Sequence, residues 1–252
     1  MPTFTREDAS LWYDVIGGGF PVLLFAPGGM RSRDEMWHSP AGGPQRVWHD
    51  WTKVLPEAGY RVVTMDQRNA GRSRTPIAGA DGWHSYAADH LALMDHLGIE
   101  RFHVLGGCIG ASFCLRLCQD APDRVAAAVL QNPIGLNPEA PAYFPEGFAE
   151  WAKEQCAARP DLDPAAVAQF GRNMWSGDFV YAVDRKFVRR CAAPCIVLPG
   201  SDKPHPAVTG DELRQLLPNA EYLKDWKGPA HLAEQKSRVL VFLAKHTPMT
   251  GT

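Results

Sequence analysis

The chain carries a thiol in a setting that could make it a nucleophile. Cys108 is the central residue of Gly106-Gly107-Cys108-Ile109-Gly110. An apolar run, Phe102-His103-Val104-Leu105, precedes this segment, and a helix-like stretch, Ala111 to Leu117, follows it. Strand, tight turn and helix hold the central side chain out at the apex. Glycines two residues to either side are what such a crowded turn requires. The residue usual at such an apex is serine, so the thiol is the distinguishing feature. A thiol nucleophile needs a base, and the base needs an acid to orient it. Two late loops offer them. Leu198-Pro199-Gly200-Ser201-Asp202-Lys203-Pro204-His205-Pro206 carries Asp202, and Gly228-Pro229-Ala230-His231-Leu232 carries His231. The expected set is Cys108, Asp202 and His231. His205 is the rival base, and its place on the same loop as Asp202 assigns it to shaping that turn.

The elements that must position these residues alternate. Strands are expected at Leu11–Ile16, Pro21–Ala26, Tyr60–Met65, Phe102–Leu105, Arg124–Leu130, Ala193–Leu198 and Ala220–Leu223. Helical patterns cover Val47–Ala58, Tyr86–Leu97 behind Ser85 as N-cap, Gly210–Leu217 and Glu234–Lys245. This alternation implies an α/β fold with parallel pairing. From Ile134 to Arg190 no apolar strand occurs, and five prolines (138, 141, 145, 160 and 164) punctuate helical segments. That stretch reads as a helical cap inserted over the strand C-termini, where ligands bind in open α/β sheets. The organisation is thus a core over 1–133, a cap over 134–190 and a second part of the core over 191–252.

Composition narrows the function classes. The 252 residues carry a formal net charge of −2 with no basic stripe, so nucleic acid is not an expected partner. The N-terminal segment lacks an apolar signal core, and the longest apolar runs are strand-length, so no membrane association is expected. Six cysteines occur without C-x-x-C spacing, and a reducing cytoplasm is the expected compartment. No G-x-G-x-x-G opens the first strand–helix turn, no P-loop follows a strand and no HExxH occurs. No cofactor and no metal are expected. A small-molecule substrate is, and a homodimer stays open.

The elbow and the chain order Cys108, Asp202, His231 resemble the α/β-hydrolase family, and the resemblance covers nearly the whole chain. It implies a mostly parallel sheet flanked by helices with a small helical cap. Pro27-Gly28-Gly29-Met30 stands where relatives carry a His-Gly loop, and it would supply an oxyanion-hole amide from Gly29 or Met30 beside that of Ile109. Asp66-Gln67-Arg68-Asn69-Ala70-Gly71-Arg72-Ser73 is similar to the family's D-x-R-G-x-G-x-S segment, with Asn69 in place of a glycine and Asp66 as a structural loop residue. Some relatives take their acid from the loop after the strand ending at Leu130. Here that loop, Gln131-Asn132-Pro133, has no carboxylate, which favours Asp202.

A cysteine nucleophile occurs in dienelactone hydrolases, although the cap and the D-x-R segment are closer to the capped esterase, lactonase and carbon–carbon hydrolase branch. The resemblance implies a hydrolase cleaving a small ester, lactone or thioester through an acyl-enzyme. An acyltransferase, a carbon–carbon hydrolase, a ligand sensor with little turnover, and a Cys108 that replaces serine all stay open. Trp37, Trp83, Trp151 and Trp175 are candidates for an aromatic pocket. Cys114 and Cys118, one helical turn apart, are expected to pack on one face.

Overall fold

The computed structural model describes residues 2–38 and 48–249. Val47, the expected start of the first helix, lies outside them. The strands are β1 (Thr3–Arg6), β2 (Ala9–Gly17), β3 (Pro21–Phe25), β4 (Arg61–Met65), β5 (Phe102–Gly107), β6 (Val125–Gln131), β7 (Cys195–Leu198) and β8 (Ala220–Tyr222). The helices are α1 (Trp51–Glu57), α2 (Trp83–His96), α3 (Ile109–Asp120), α4 (Tyr143–Ala158), α5 (Pro164–Trp175), α6 (Arg185–Val188), α7 (Ala207–Leu216) and α8 (Leu232–His246). All eight strands form one sheet in the order β1-β2-β4-β3-β5-β6-β7-β8. The two pairings that involve β2 are antiparallel and every other pairing is parallel.

The central strands are apolar on both faces because helices cover both. β5 and β6 are buried throughout. One core layer holds Leu23, Phe25, Val104, Phe113 and Leu130. The other holds Val22, Leu24, Leu105, Trp51 and Phe242. All four expected helix starts shift by a few residues, α7 to Ala207 and α8 to Leu232 among them. α1 begins at Trp51 because Asp50 caps it, accepting the Thr52 amide at 3.2 Å. α2 begins at Trp83, and Ser85 is not its N-cap. It sits inside the first turn, where its hydroxyl accepts the Gly82 amide at 3.3 Å. β1 has no apolar signature, since its polar Thr3-Phe4-Thr5-Arg6 is held by pairing with β2 at the sheet edge.

Parallel strands deliver their following loops to one end of the sheet. Pro27, Asp66, Cys108, Asn132 and Pro199 all follow strand C-termini there. At the apex Cys108 has φ 58° and ψ −121°, a conformation costing about 1–3 kcal/mol for a residue with a side chain. Close packing enforces it. A Cβ on Gly106 would stand 2.1 Å from the Gly110 carbonyl oxygen, and one on Gly110 2.4 Å from that of Phe25. The Cys108 amide is also tied to the Gln131 carbonyl at 3.0 Å, fixing the turn to β6. Gly106→Ala is therefore expected to destabilise the protein by about 1–3 kcal/mol through overpacking. Urea denaturation checks this as a lowered midpoint at unchanged slope.

Between β6 and β7 the chain forms only helices, α4, α5 and α6. α4 and α5 lie antiparallel, since Phe144 at the start of α4 stacks on Trp175 at the end of α5, 4.8 Å between centroids. Asp163 caps α5 by accepting the Ala165 amide at 2.9 Å, with Pro164 in its first turn. Among the described residues no helix is long and apolar enough to cross a membrane.

Candidate active site

Cys108 opens onto a cavity of about 230 Å³ lined by the Gly28–Arg31 turn, Tyr143, Phe144, Gly147, Phe148, Trp175, Pro204 and His205. Three parts of the chain meet here: the turn after β3, the helices α4 and α5, and the loop after β7. The turn after β3 lacks the histidine that family members place at Pro27, and serine and aspartate brace it instead. The Ser32 hydroxyl donates to the Ala26 carbonyl at 2.6 Å, and the Gln67 amide donates to the Ser32 carbonyl at 3.0 Å. Asp66 is fully buried and accepts the amides of Asp34 at 3.0 Å and Arg72 at 2.8 Å. The Arg72 guanidinium closes on the same carboxylate at 2.7 and 2.8 Å. Asp66 is thus a structural staple, as its sequence position suggested. Asn69 takes the left-handed conformation, φ 54°, that a glycine would otherwise supply.

The loop after β7 folds back on itself. Asp202 and His205 exchange two backbone hydrogen bonds, at 3.2 and 3.1 Å, around Lys203-Pro204. Gly200 permits this, because a Cβ there would meet the His205 carbonyl oxygen at 2.2 Å. The turn places Asp202 Oδ1 2.5 Å from His205 Nδ1. Lys227, on the segment after β8, holds the other carboxylate oxygen at 3.7 Å. The second imidazole nitrogen, Nε2, is buried with no hydrogen-bond partner among the described residues, and His205 borders the same cavity as the Cys108 thiol. Their approach is looser than a formed hydrogen bond, a common state for catalytic pairs in empty sites.

The electrostatics of the pair run in opposite directions. Burial pushes the Cys108 thiol up, but the adjacent His205 imidazole, with the Gly28 and Ile109 amides, outweighs it and leaves the thiol below its ordinary value. Burial pushes His205 down, but Cys108 and then Asp202 outweigh it and leave the imidazole above its ordinary value. A lowered thiol beside a raised imidazole favours a thiolate–imidazolium pair.

Cys108 and Asp202 are thus brought together, but His231 is not with them. It is the N-cap residue of α8, its amide bonded to the Gly228 carbonyl at 3.0 Å. It borders a separate recess with Ser201, Asp211, Tyr222, Lys224 and Trp226. The histidine placed on the Cys108 cavity and on Asp202 is His205 rather than the expected His231, because the Asp202 turn folds the nearer histidine back toward the elbow. The sequence signal was local: Asp-Lys-Pro-His-Pro is a turn that closes an acid onto an imidazole three residues later.

Of the oxyanion candidates, the Ile109 amide, together with that of Gly28, lowers the Cys108 thiol. Gly29 and Met30 line the cavity. Among the tryptophans only Trp175 borders this cavity. Trp37 is buried in the core against β3 and β5 partners. Trp151 is buried among Phe148 and Phe170. Trp83 donates its Nε1 hydrogen to the Met174 carbonyl at 2.8 Å and packs on Phe113 and Trp175. All three bury too much apolar surface in packing to face a ligand. Cys114 and Cys118 are buried on α3. Among the described residues no group of three or more His, Cys, Asp or Glu is placed to hold a metal ion.

The sequence matches the family model described as alpha/beta hydrolase fold over residues 21–186. It is 35% identical over 94 residues to RutD of Variovorax paradoxus, which carries a carbamate-hydrolase name; the match spans 37% of this chain and 35% of RutD. For RutD of Azorhizobium caulinodans the match spans 44% of the relative. BpoC of Mycobacterium tuberculosis, named as a non-heme bromoperoxidase, is 27% identical across 85% of this chain and 88% of BpoC. The enol-lactonase of Burkholderia xenovorans LB400 superposes with a TM-score of 0.67 at 21% identity, over 96% of this chain and all of that one. The strained turn at Cys108, the single mostly parallel sheet and the family match agree: this chain belongs to the α/β-hydrolase fold family.

Proposed function

We propose that the protein is a cysteine-dependent hydrolase that cleaves a small ester, lactone or thioester through an acyl-enzyme on Cys108. The observation that carries this reading is that Cys108 and His205 line one cavity while Asp202 holds His205 by its Nδ1. In the proposed course the Cys108 thiolate attacks the carbonyl carbon. The Ile109 and Gly28 amides, which already favour negative charge at the sulfur, face the developing oxyanion. His205 gives its proton to the leaving group and later takes one from the water that releases the acyl group. Asp202 holds the imidazole in the required tautomer and orientation, as the acid does in other triads. The cavity of about 230 Å³, walled by Phe144, Phe148 and Trp175, suits a compact acyl group.

The test is a panel of short activated esters, lactones, thioesters and, following the name RutD carries, a carbamate. Product release is followed together with the intact mass of the protein. The expected result is multiple turnovers with a transient acyl adduct that maps to Cys108. Turnover with no dependence on Cys108 would overturn the reading. An acyl adduct that water fails to release but an added amine or thiol discharges would convert it to an acyltransferase.

A further inference from the structure

The outer face of α4 and α5 carries a second cavity that the proposed chemistry does not use. It is an open groove of about 550 Å³. Pro145, Phe148, Ala149, Ala152 and Cys156 border it from α4, and Pro164, Val167, Ala168, Gly171 and Trp175 from α5. The spacings are three and four residues on each helix, so each contributes one continuous stripe. The middle of both stripes is built from small residues, and that leaves the space open. Gly171 matters in addition, since a Cβ there would stand 2.3 Å from the Phe148 ring.

Two further features identify an occupant. Phe148 and Trp175 border both the groove and the Cys108 cavity, so one end of the groove is the wall of the reaction site. From Cys156 to Phe148 is eight residues of helix, about 12 Å at ~1.5 Å per residue. The groove also has one cation on each wall, Lys153 on α4 and Arg172 on α5. Neither forms an ion pair among the described residues; Arg172 donates only to Gln169, at 2.6 and 3.1 Å. An apolar floor with unneutralised cations at its rim is complementary to an amphiphile that is apolar along its length and anionic at an end.

We infer that the groove between α4 and α5 binds an anionic, medium-chain amphiphile, its hydrocarbon chain on Ala149, Ala152, Val167 and Ala168 and its charged group on Lys153 or Arg172. Resting on the reading of Cys108 as nucleophile, this makes the substrate an acyl compound with an apolar arm longer than the reaction cavity can hold, the arm passing the Phe148–Trp175 wall.

The binding half is tested without turnover, on Cys108→Ala protein, by calorimetry with decanoate, decanol and butyrate. Decanoate is expected to bind saturably and butyrate not to bind. Lys153→Met with Arg172→Met should weaken decanoate by about tenfold and leave decanol within about twofold. Ala168→Phe, at an exposed position on the groove floor, should remove binding of both while leaving the thermal midpoint in place. Decanoate binding that survives Ala168→Phe, or no binding of decanoate at all, would overturn the inference. So would a dimer in solution that Ala168→Phe turns into monomers, because the groove would then be covered by a second copy. Wild-type turnover, measured separately on short and medium-chain thioesters, reads the nucleophile. Its failure with binding intact would strike the acyl-enzyme and leave the groove standing.

Discussion

His205→Gln lowers kcat/KM for an accepted ester by roughly 10²–10⁴-fold, the range for removing a general acid–base, whereas His231→Gln leaves it within about twofold. The contrast follows from geometry. Among the described histidines, only His205 has a ring nitrogen on Asp202 and borders the Cys108 cavity. His231 caps α8 beside a different recess. The same pair of variants has a readout independent of substrate, the rate at which iodoacetamide alkylates Cys108 as a function of pH. Burial alone raises this thiol, and His205 reverses the sign. Wild-type alkylation should therefore reach its plateau below the ordinary thiol value of about 8.5. Loss of His205 leaves burial in charge, so the profile moves to higher pH and the rate at neutral pH falls. His231→Gln should leave the profile where it is. The imidazole is raised by the same neighbours, so acylation should fall where acid protonates the thiolate and again where base strips the proton from His205. If His231→Gln moved the profile and His205→Gln did not, the base would lie on the α8 loop and the Asp202–His205 contact would be a structural turn.

The sequence pointed to His231, whereas the structure places His205 beside Asp202 and Cys108. Its strands were legible because β3 through β7 are runs of apolar residues between turn formers, and a buried parallel strand leaves that trace. Cys108 was legible because Gly106 and Gly110 must be small for its turn to close. Asp202 followed from its place after β7. The base was not, because chain order alone favours a histidine before the last helix, and direction is a tertiary property. His205 follows Asp202 by three residues, yet only the folded chain shows that this turn closes on itself and brings His205 to the Cys108 cavity. The tryptophans fail for a related reason. Trp37, Trp151 and Trp175 are alike in composition and burial, and only the packing of α4 on α5 decides that Trp175 reaches the cavity. β1 was invisible because an edge strand can be held by backbone pairing with no apolar stripe.

Cys108→Ala is expected to lower kcat/KM by about 10⁴–10⁶-fold, the scale found when a covalent nucleophile is removed. Some rate over the uncatalysed reaction should persist, since the proposed oxyanion donors, the Gly28 and Ile109 amides, remain in place. Cys108→Ser separates two explanations for the thiol. In a site tuned to a thiolate, the hydroxyl cannot form the resting ion pair, because a serine hydroxyl is a far weaker acid than a thiol. His205 must then be neutral before it can act, so the acid limb of the pH profile should follow His205 itself, and turnover should fall well below wild type. The backbone does not decide the matter, since the φ of 58° serves either side chain. Cys108 and then Asp202 favour the protonated ring, which is the state that a thiolate partner needs. Higher turnover in Cys108→Ser than in wild type would mean that the site is built for a hydroxyl, and the thiolate–imidazolium mechanism would fall with it.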